Sequence, residues 1–182
     1  MALNATIYRI EAATADLDRG VYRTDRLTVA RHPSETAERL MVRVLAWAMH
    51  ADDALEFGAG LSDVDEPDLW RRDPTGTIEA WIEVGLPDER RLRRACGRAA
   101  EVTAYAYGRG AELWWRQNAT ALARLERLRV ALIPPAASAG LGELAARKLS
   151  VQLTGQDGNW LVTDGERAVE VVPDWRTGPR AP

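Results

Sequence analysis

Lysine is almost absent from this chain: of 24 basic residues only Lys148 is a lysine, and the rest are arginine. Any role that needs a primary amine therefore has one candidate. Cysteine is nearly as scarce. The single Cys96 excludes an internal disulfide and a cysteine-rich zinc centre. Two histidines, His32 and His50, leave little for a histidine-based metal site. No apolar run is long enough to span a bilayer. Met1 to Ile10 lacks the basic start and apolar stretch of a signal peptide. A reduced, cytoplasmic location and no membrane partner are expected. The net charge of -3 does not advertise a nucleic-acid binder, although a basic face depends on where charge sits, not on its sum. Repeats, heptads, a phosphate-cradling glycine loop and a Ser-His-Asp set are all missing.

What is present is ordinary globular material: 182 residues, 46% hydrophobic and 28% charged. That length predicts one domain over residues 1–176 with a real core, followed by a loose tail over 177–182.

The most informative stretch runs from Ile78 to Arg94. Ile78, Ala80, Ile82 and Val84 alternate with Glu79, Trp81 and Glu83, which is the period of a strand. Pro87 and Asp88 then suit a first helical turn, and Leu92, Ala95, Cys96, Ala99 and Val102 recur at helical spacing. The pattern predicts a strand ending near Gly85 and a basic helix over about 88–107. Residues 2–12 and 20–30 read as an antiparallel ribbon joined through Asp18-Arg19-Gly20. Ser34 is a plausible N-cap, with Glu35 at the positive start of a helix running to about Asp52. Its buried stripe is Ala37, Leu40, Met41, Val44, Leu45 and Ala48. Residues 53–76 are acidic, turn-rich and irregular. A helix carrying Trp114 and Trp115, a strand over Leu128 to Ile133, a short helix within 138–147 and two or three closing strands complete the reading.

Two acids stand out, one before the informative strand and one at its end. Asp68 follows Pro67, and Glu83 lies fifteen residues further on. Neighbouring strands lie about 5 Å apart, so the two carboxylates converge if their segments pair. Two such groups repel unless a positive charge lies between them, and a hard divalent cation supplies one. A third carboxylate from the first helix, Glu38 or Glu35, would complete a magnesium site, with manganese as a substitute. Metal-assisted phosphodiester hydrolysis is the reaction class this suggests. With 27 acidic residues in the chain, pairs at such spacings also arise by chance. Arg90, Arg94 and Arg98 recur every four residues with Arg91 beside them, opposite Leu92, Cys96 and Ala99. That row reads as a phosphate-binding face or as a solvated helix surface.

Arg31-His32-Pro33-Ser34-Glu35-Thr36, Asp65-Glu66-Pro67-Asp68-Leu69-Trp70, the run from Trp81 to Arg91 and the pair Trp114-Trp115 resemble the signature blocks of the YaeQ family. The likeness covers nearly the whole chain. It implies an α/β (α+β), restriction-endonuclease-like fold of the PD-(D/E)xK group: a mixed central sheet flanked by helices, with antiparallel strands at both termini. Carried over, Pro67-Asp68 matches the first motif element, Glu83 the acidic second, and Glu38 or Glu35 the helical acid. Where that group has a lysine two residues after the acid, this chain has Gly85. The missing amine would orient water and stabilise phosphate charge, and an arginine can bind phosphate but is a poor proton acceptor. The expectation is therefore a nuclease-related protein that cleaves or binds DNA or RNA, with Asp68, Glu83 and Glu38 as catalytic and metal residues and Arg90, Arg91, Arg94 and Arg98 on nucleic acid. The alternative is a non-enzymatic regulatory module with a protein partner that kept the scaffold and lost the chemistry.

Overall fold

The computed structural model describes residues 5–59, 61, 63 and 65–177. Eleven strands and four helices occur among them, and they fall into two compact units.

The first unit comprises the described residues to 51 together with 136–172. Its long antiparallel pair, β1 (Thr6–Asp16) and β2 (Val21–Arg31), is the ribbon expected from sequence. β8 (Lys148–Gln156) adds parallel to β1, and β9 (Asn159–Thr163) and β10 (Ala168–Val171) follow antiparallel. The sheet order is β10-β9-β8-β1-β2. Asp157 and Gly158 both have positive φ, 53° and 76°, as a tight hairpin between β8 and β9 requires. The helix α1 (Ala37–Met49) packs against β1 and β8, and α4 spans Pro135–Glu143.

The start of α1 departs from expectation. Thr36 is the N-cap, its Oγ1 accepting from Arg39 N at 3.1 Å. Ser34 instead hydrogen-bonds His32 Nδ1 at 2.7 Å. A turn closed by Glu35 N on His32 O, 2.9 Å, delays the helix by two residues. The helix is buried all round from Leu40 to Ala48 rather than along one stripe, and it ends at Met49, not Asp52. Arg19 Nη2 donates to Ala48 O at 3.1 Å, satisfying one of the terminal carbonyls.

The second unit comprises residues 52–135 and, among those described, 173–177. Its sheet order is β11-β7-β6-β5-β4-β3, so two mixed sheets replace the single central sheet expected. The stretch expected to be irregular contains two short strands, β3 (Leu55–Phe57) and β4 (Leu69–Arg72), paired antiparallel with each other. β4 then pairs antiparallel with β5 (Ile78–Val84), which is parallel to β6 (Ala99–Tyr107), itself parallel to β7 (Leu128–Ile133). The helix α2 is Glu89–Arg98, half the expected length. Its apolar spacing runs on into Ala99 and Val102, but Gly97 weakens the last turn. The slot between β5 and β7 pairs the backbone of 99–107, on both sides from Val102 to Tyr105. The helix α3 (Ala111–Leu122) buries Trp114 and leaves Trp115 half-buried, so the pair divides between core and edge.

The chain closes with four strands rather than two or three, because β11 (Asp174–Thr177) joins β7. Thr177 belongs to that strand, where its Oγ1 accepts from Val130 N at 3.0 Å. The remainder of the expected tail, 178–182, lies outside the described residues. No helix among the described residues is long and apolar enough to cross a membrane.

Candidate functional site

β5 sits in the interior of its sheet, with a partner on each side. Residues from Ala80 to Val84 are buried on both faces, as a central strand between layers demands. The register pairs Leu69 with Ile82 and Trp70 with Trp81, which sets Asp68 opposite Glu83 on the same face. Just before β4 the ladder becomes irregular, Asp68 N donating to Ile82 O at 3.1 Å. The two acids therefore converge as the sequence reading required.

Their surroundings are dry and strongly bonded. Asp68 is 1% exposed and Glu83 4%. Asp68 Oδ2 accepts from Val84 N at 2.7 Å. Glu83 Oε1 accepts from Trp81 Nε1 at 2.7 Å and from Arg91 Nε at 2.8 Å. Burial pushes the Glu83 carboxyl above its ordinary value; the Trp81 and Arg91 hydrogen bonds oppose the rise and the nearby Asp68 charge adds to it. Trp81 is a participant the sequence reading missed. Two residues before Glu83 on a strand, it had to share Glu83's face, and its indole N–H needed a buried acceptor.

Gly58 is a second missed residue. A Cβ there would lie 2.2 Å from Pro67 O, and Gly58 N donates to Asp68 O at 3.0 Å. The end of β3 thus runs tightly against the Pro67-Asp68 peptide, an approach only glycine allows.

Gly85, where the resemblance to the PD-(D/E)xK group leads to the expectation of a missing lysine, has φ +126°. A side chain has open space there, but an L-residue is strained in that backbone conformation. The glycine is thus required by the turn that leaves β5, and a lysine at this position is disfavoured by the backbone itself.

The third expected acid has a partner of its own. Glu38 belongs to the first unit, where its carboxylate accepts from Ser138 Oγ at 2.5 Å. Glu35, in the same unit, is 2% exposed and does not sit at the helix start facing solvent. It bonds Arg39 Nη1 at 2.9 Å and Arg43 Nη1 at 3.1 Å. No group of three or more His, Cys, Asp and Glu side chains among the described residues is arranged to hold a metal ion. At the Asp68–Glu83 pair the counter-charge is already supplied by Arg91. The donor set as it stands therefore does not fit a divalent cation unless that guanidinium leaves.

The open feature beside the pair is cationic. A groove of about 470 Å³ is lined by Trp81, Arg90, Arg91, Arg94 and Arg98, with Asp65 and Asp88 as its acids. Asp88 is the N-cap of α2 and accepts from Arg91 N at 2.7 Å. Asp65 engages the far end, its Oδ1 taking Arg94 Nη1 at 2.6 Å and its carbonyl taking Arg98 Nη1 at 3.0 Å. The Arg98 guanidinium lies 5.1 Å from the Trp81 ring centre, and Trp81 meets Trp70 edge-on at 6.3 Å. Among the described residues, the Arg90 side chain has no acceptor at all. Leu92 and Ala95 face the core, so the arginine row is on the outer side of α2 as expected.

The family model described as YaeQ protein matches residues 1–173. The chain belongs to the YaeQ family. It is 45% identical over 172 residues to YaeQ of Salmonella typhi, covering 94% of this chain and 95% of that one. YaeQ of Escherichia coli K12 is 44% identical over the same span. The crystal structure of YaeQ from Xanthomonas axonopodis pv. citri superposes with a TM-score of 0.92 at 46% identity, covering 96% of this chain and 99% of that one. That of Pseudomonas syringae YaeQ gives 0.92 at 39% identity, covering 97% and 98%. The α+β architecture of two mixed sheets and four helices is thus the fold of this family.

Proposed function

We propose that this YaeQ-family chain binds the phosphate backbone of nucleic acid in the arginine groove of α2, and that the neighbouring acids shape the groove instead of cutting its ligand. One observation carries the reading: four guanidinium groups line one open groove against two acids. A polyanion gains from such a surface chiefly by counterion release, with no need of base-specific contacts. Trp81 is 2% exposed, so the groove has no aromatic face to offer a base. Two further features separate binding from cleavage. Glu83 is neutralised by Arg91, and Gly85 stands where a charge-stabilising amine would act.

The cross-strand approach of Asp68 and Glu83 favours a second reading, a restriction-endonuclease-like site that takes magnesium once Arg91 is drawn off onto a phosphate. Saturable magnesium or manganese binding that disappears in Asp68→Ala and Glu83→Ala would establish that reading. Binding of nucleic acid with no such metal uptake leaves the first.

The test of the first is a fluorescence-anisotropy titration of duplex DNA, single-stranded DNA and RNA at several salt concentrations. Four phosphate contacts give a log–log salt slope of roughly -3 to -4. Arg90→Ala with Arg94→Ala should shrink it by about 2. A flat salt response in the wild type would sink the proposal.

A further inference from the structure

The first unit has a second cationic surface, unrelated to α2. Its sheet packs α1 on one face only. The opposite face of β1, β2 and β8 is exposed, the residues of β8 alternating buried and exposed along the strand. The register sets Arg9 directly beside Lys148, the chain's only lysine, and beside Thr28. Like charges directly opposed on neighbouring strands destabilise a sheet. Here nothing offsets them: among the described residues, neither Arg9 nor Lys148 has an acidic partner. In the next row Arg26 faces Glu11, an open ion pair at 3.7 Å with side chains 90% and 52% exposed, which contributes little. Three cations and one acid therefore line a hollow of about 340 Å³.

The surface continues along β1. Ala13 lies between Thr24 and Gln152, and Ala15 between Tyr22 and Thr154. These small alanines floor a second hollow of about 400 Å³. Its wall is Tyr22, 69% exposed. From Arg9 to Ala15 the strand rises about 20 Å, longer than one small anion or one nucleotide.

We propose that this sheet face binds single-stranded nucleic acid, with phosphates on Arg9, Lys148 and Arg26 and bases along the alanine floor against Tyr22. Charge selects an anion, and length selects a polymer. An acidic peptide is the poorer occupant. Extended peptides add to sheets at an edge through main-chain hydrogen bonds; that edge is β2, whereas both hollows lie over β1, which has strand partners on both sides. An exposed tyrosine over small side chains, with hydroxyl and amide groups alongside, is a stacking platform that suits unpaired bases.

The experiment titrates a fluorescent mixed-sequence single-stranded oligonucleotide into the full chain carrying Arg90→Ala and Arg94→Ala, which weakens the α2 groove. Binding should persist. Adding Arg9→Ala with Lys148→Ala should reduce the log–log salt slope by about 1.4. Adding Tyr22→Ala should weaken binding about five- to a hundredfold. All three side chains are solvent-facing, so the variants should fold. Without ligand, Lys148→Ser should raise the melting temperature by about 1–2 °C, because it removes the like-charge contact. No binding in the α2 variant would overturn the proposal, as would indifference to Arg9 and Lys148 or to Tyr22. Equal capture of poly-glutamate through the same residues would overturn it too.

Discussion

Arg91 Nε donates to Glu83 Oε1 at 2.8 Å, joining the first turn of α2 to the end of β5. The same guanidinium reaches Glu66 O through Nη2 at 2.8 Å. One arginine thus ties helix, central strand and the segment before β4, while neutralising an acid that burial makes costly to ionise. Removing it leaves Glu83 dry beside Asp68. Arg91→Ala should lower unfolding free energy by about 3 kcal/mol, the lower end for breaking a buried pair because Arg91 keeps a quarter of its side chain in water. Urea unfolding with an unchanged slope measures this. A loss below that of a surface substitution would show that the contact has no structural role.

Stability should also fall with rising pH through Glu83. Its carboxyl in the fold is pushed above its ordinary 4.5, so between the two values the folded chain holds more proton than the unfolded one. That contribution is complete below about 4.5 and is lost as pH climbs through the raised value. Glu83→Gln abolishes the dependence. The stability of the Gln variant relative to wild type should therefore improve as pH rises from 4.5, which paired urea titrations across that range would show. A difference that runs the other way would mean that Arg91 and Trp81 dominate over burial.

At Gly85 the backbone, not the neighbours, sets the expected cost. With φ at +126° and open space around a Cβ, Gly85→Ala and Gly85→Lys should both destabilise by about 2 kcal/mol. The lysine variant should gain no nuclease activity with added magnesium. If Gly85→Lys were as stable as wild type, the backbone at this turn would not be what keeps a side chain out.

Gly58 makes a different prediction. There a Cβ meets the Pro67 carbonyl oxygen at 2.2 Å, a backbone atom that cannot step aside cheaply. Gly58→Ala should cost about 3 kcal/mol and displace the peptide that carries Asp68. Loss of the slow hydrogen exchange expected at Val84 N, whose acceptor is Asp68 Oδ2, would report that displacement specifically.

Much of this was legible in the residues. Alternating runs marked β1 and β2, because one-sided burial leaves a period of two, and β5, though buried on both faces, still alternates aliphatic residues with Glu79, Trp81 and Glu83. The convergence of Asp68 and Glu83 followed once two strands were assumed to pair. What escaped was set by partners distant in the chain. The helix α2 stops at Arg98 because a slot between two parallel strands claims the next nine residues, and nothing local announces that slot. β3 and β4 are too short to show a period. Arg91 read as one more member of a cationic row, yet a buried acid eight residues earlier recruits it. Glu35 looked like a residue attracted to a helix start, but Arg39 and Arg43 draw it inward.

α2 passes into β6 with no linker: Arg98 ends the helix and Ala99 opens the strand. The angular phase of the guanidinium row is thereby locked to the pleat of the sheet. Inserting one residue at this joint would swing Arg90 and Arg94 about 100° around the helix axis or turn every side chain of β6 to its opposite face. The chain can therefore vary which arginines it displays far more readily than where it displays them.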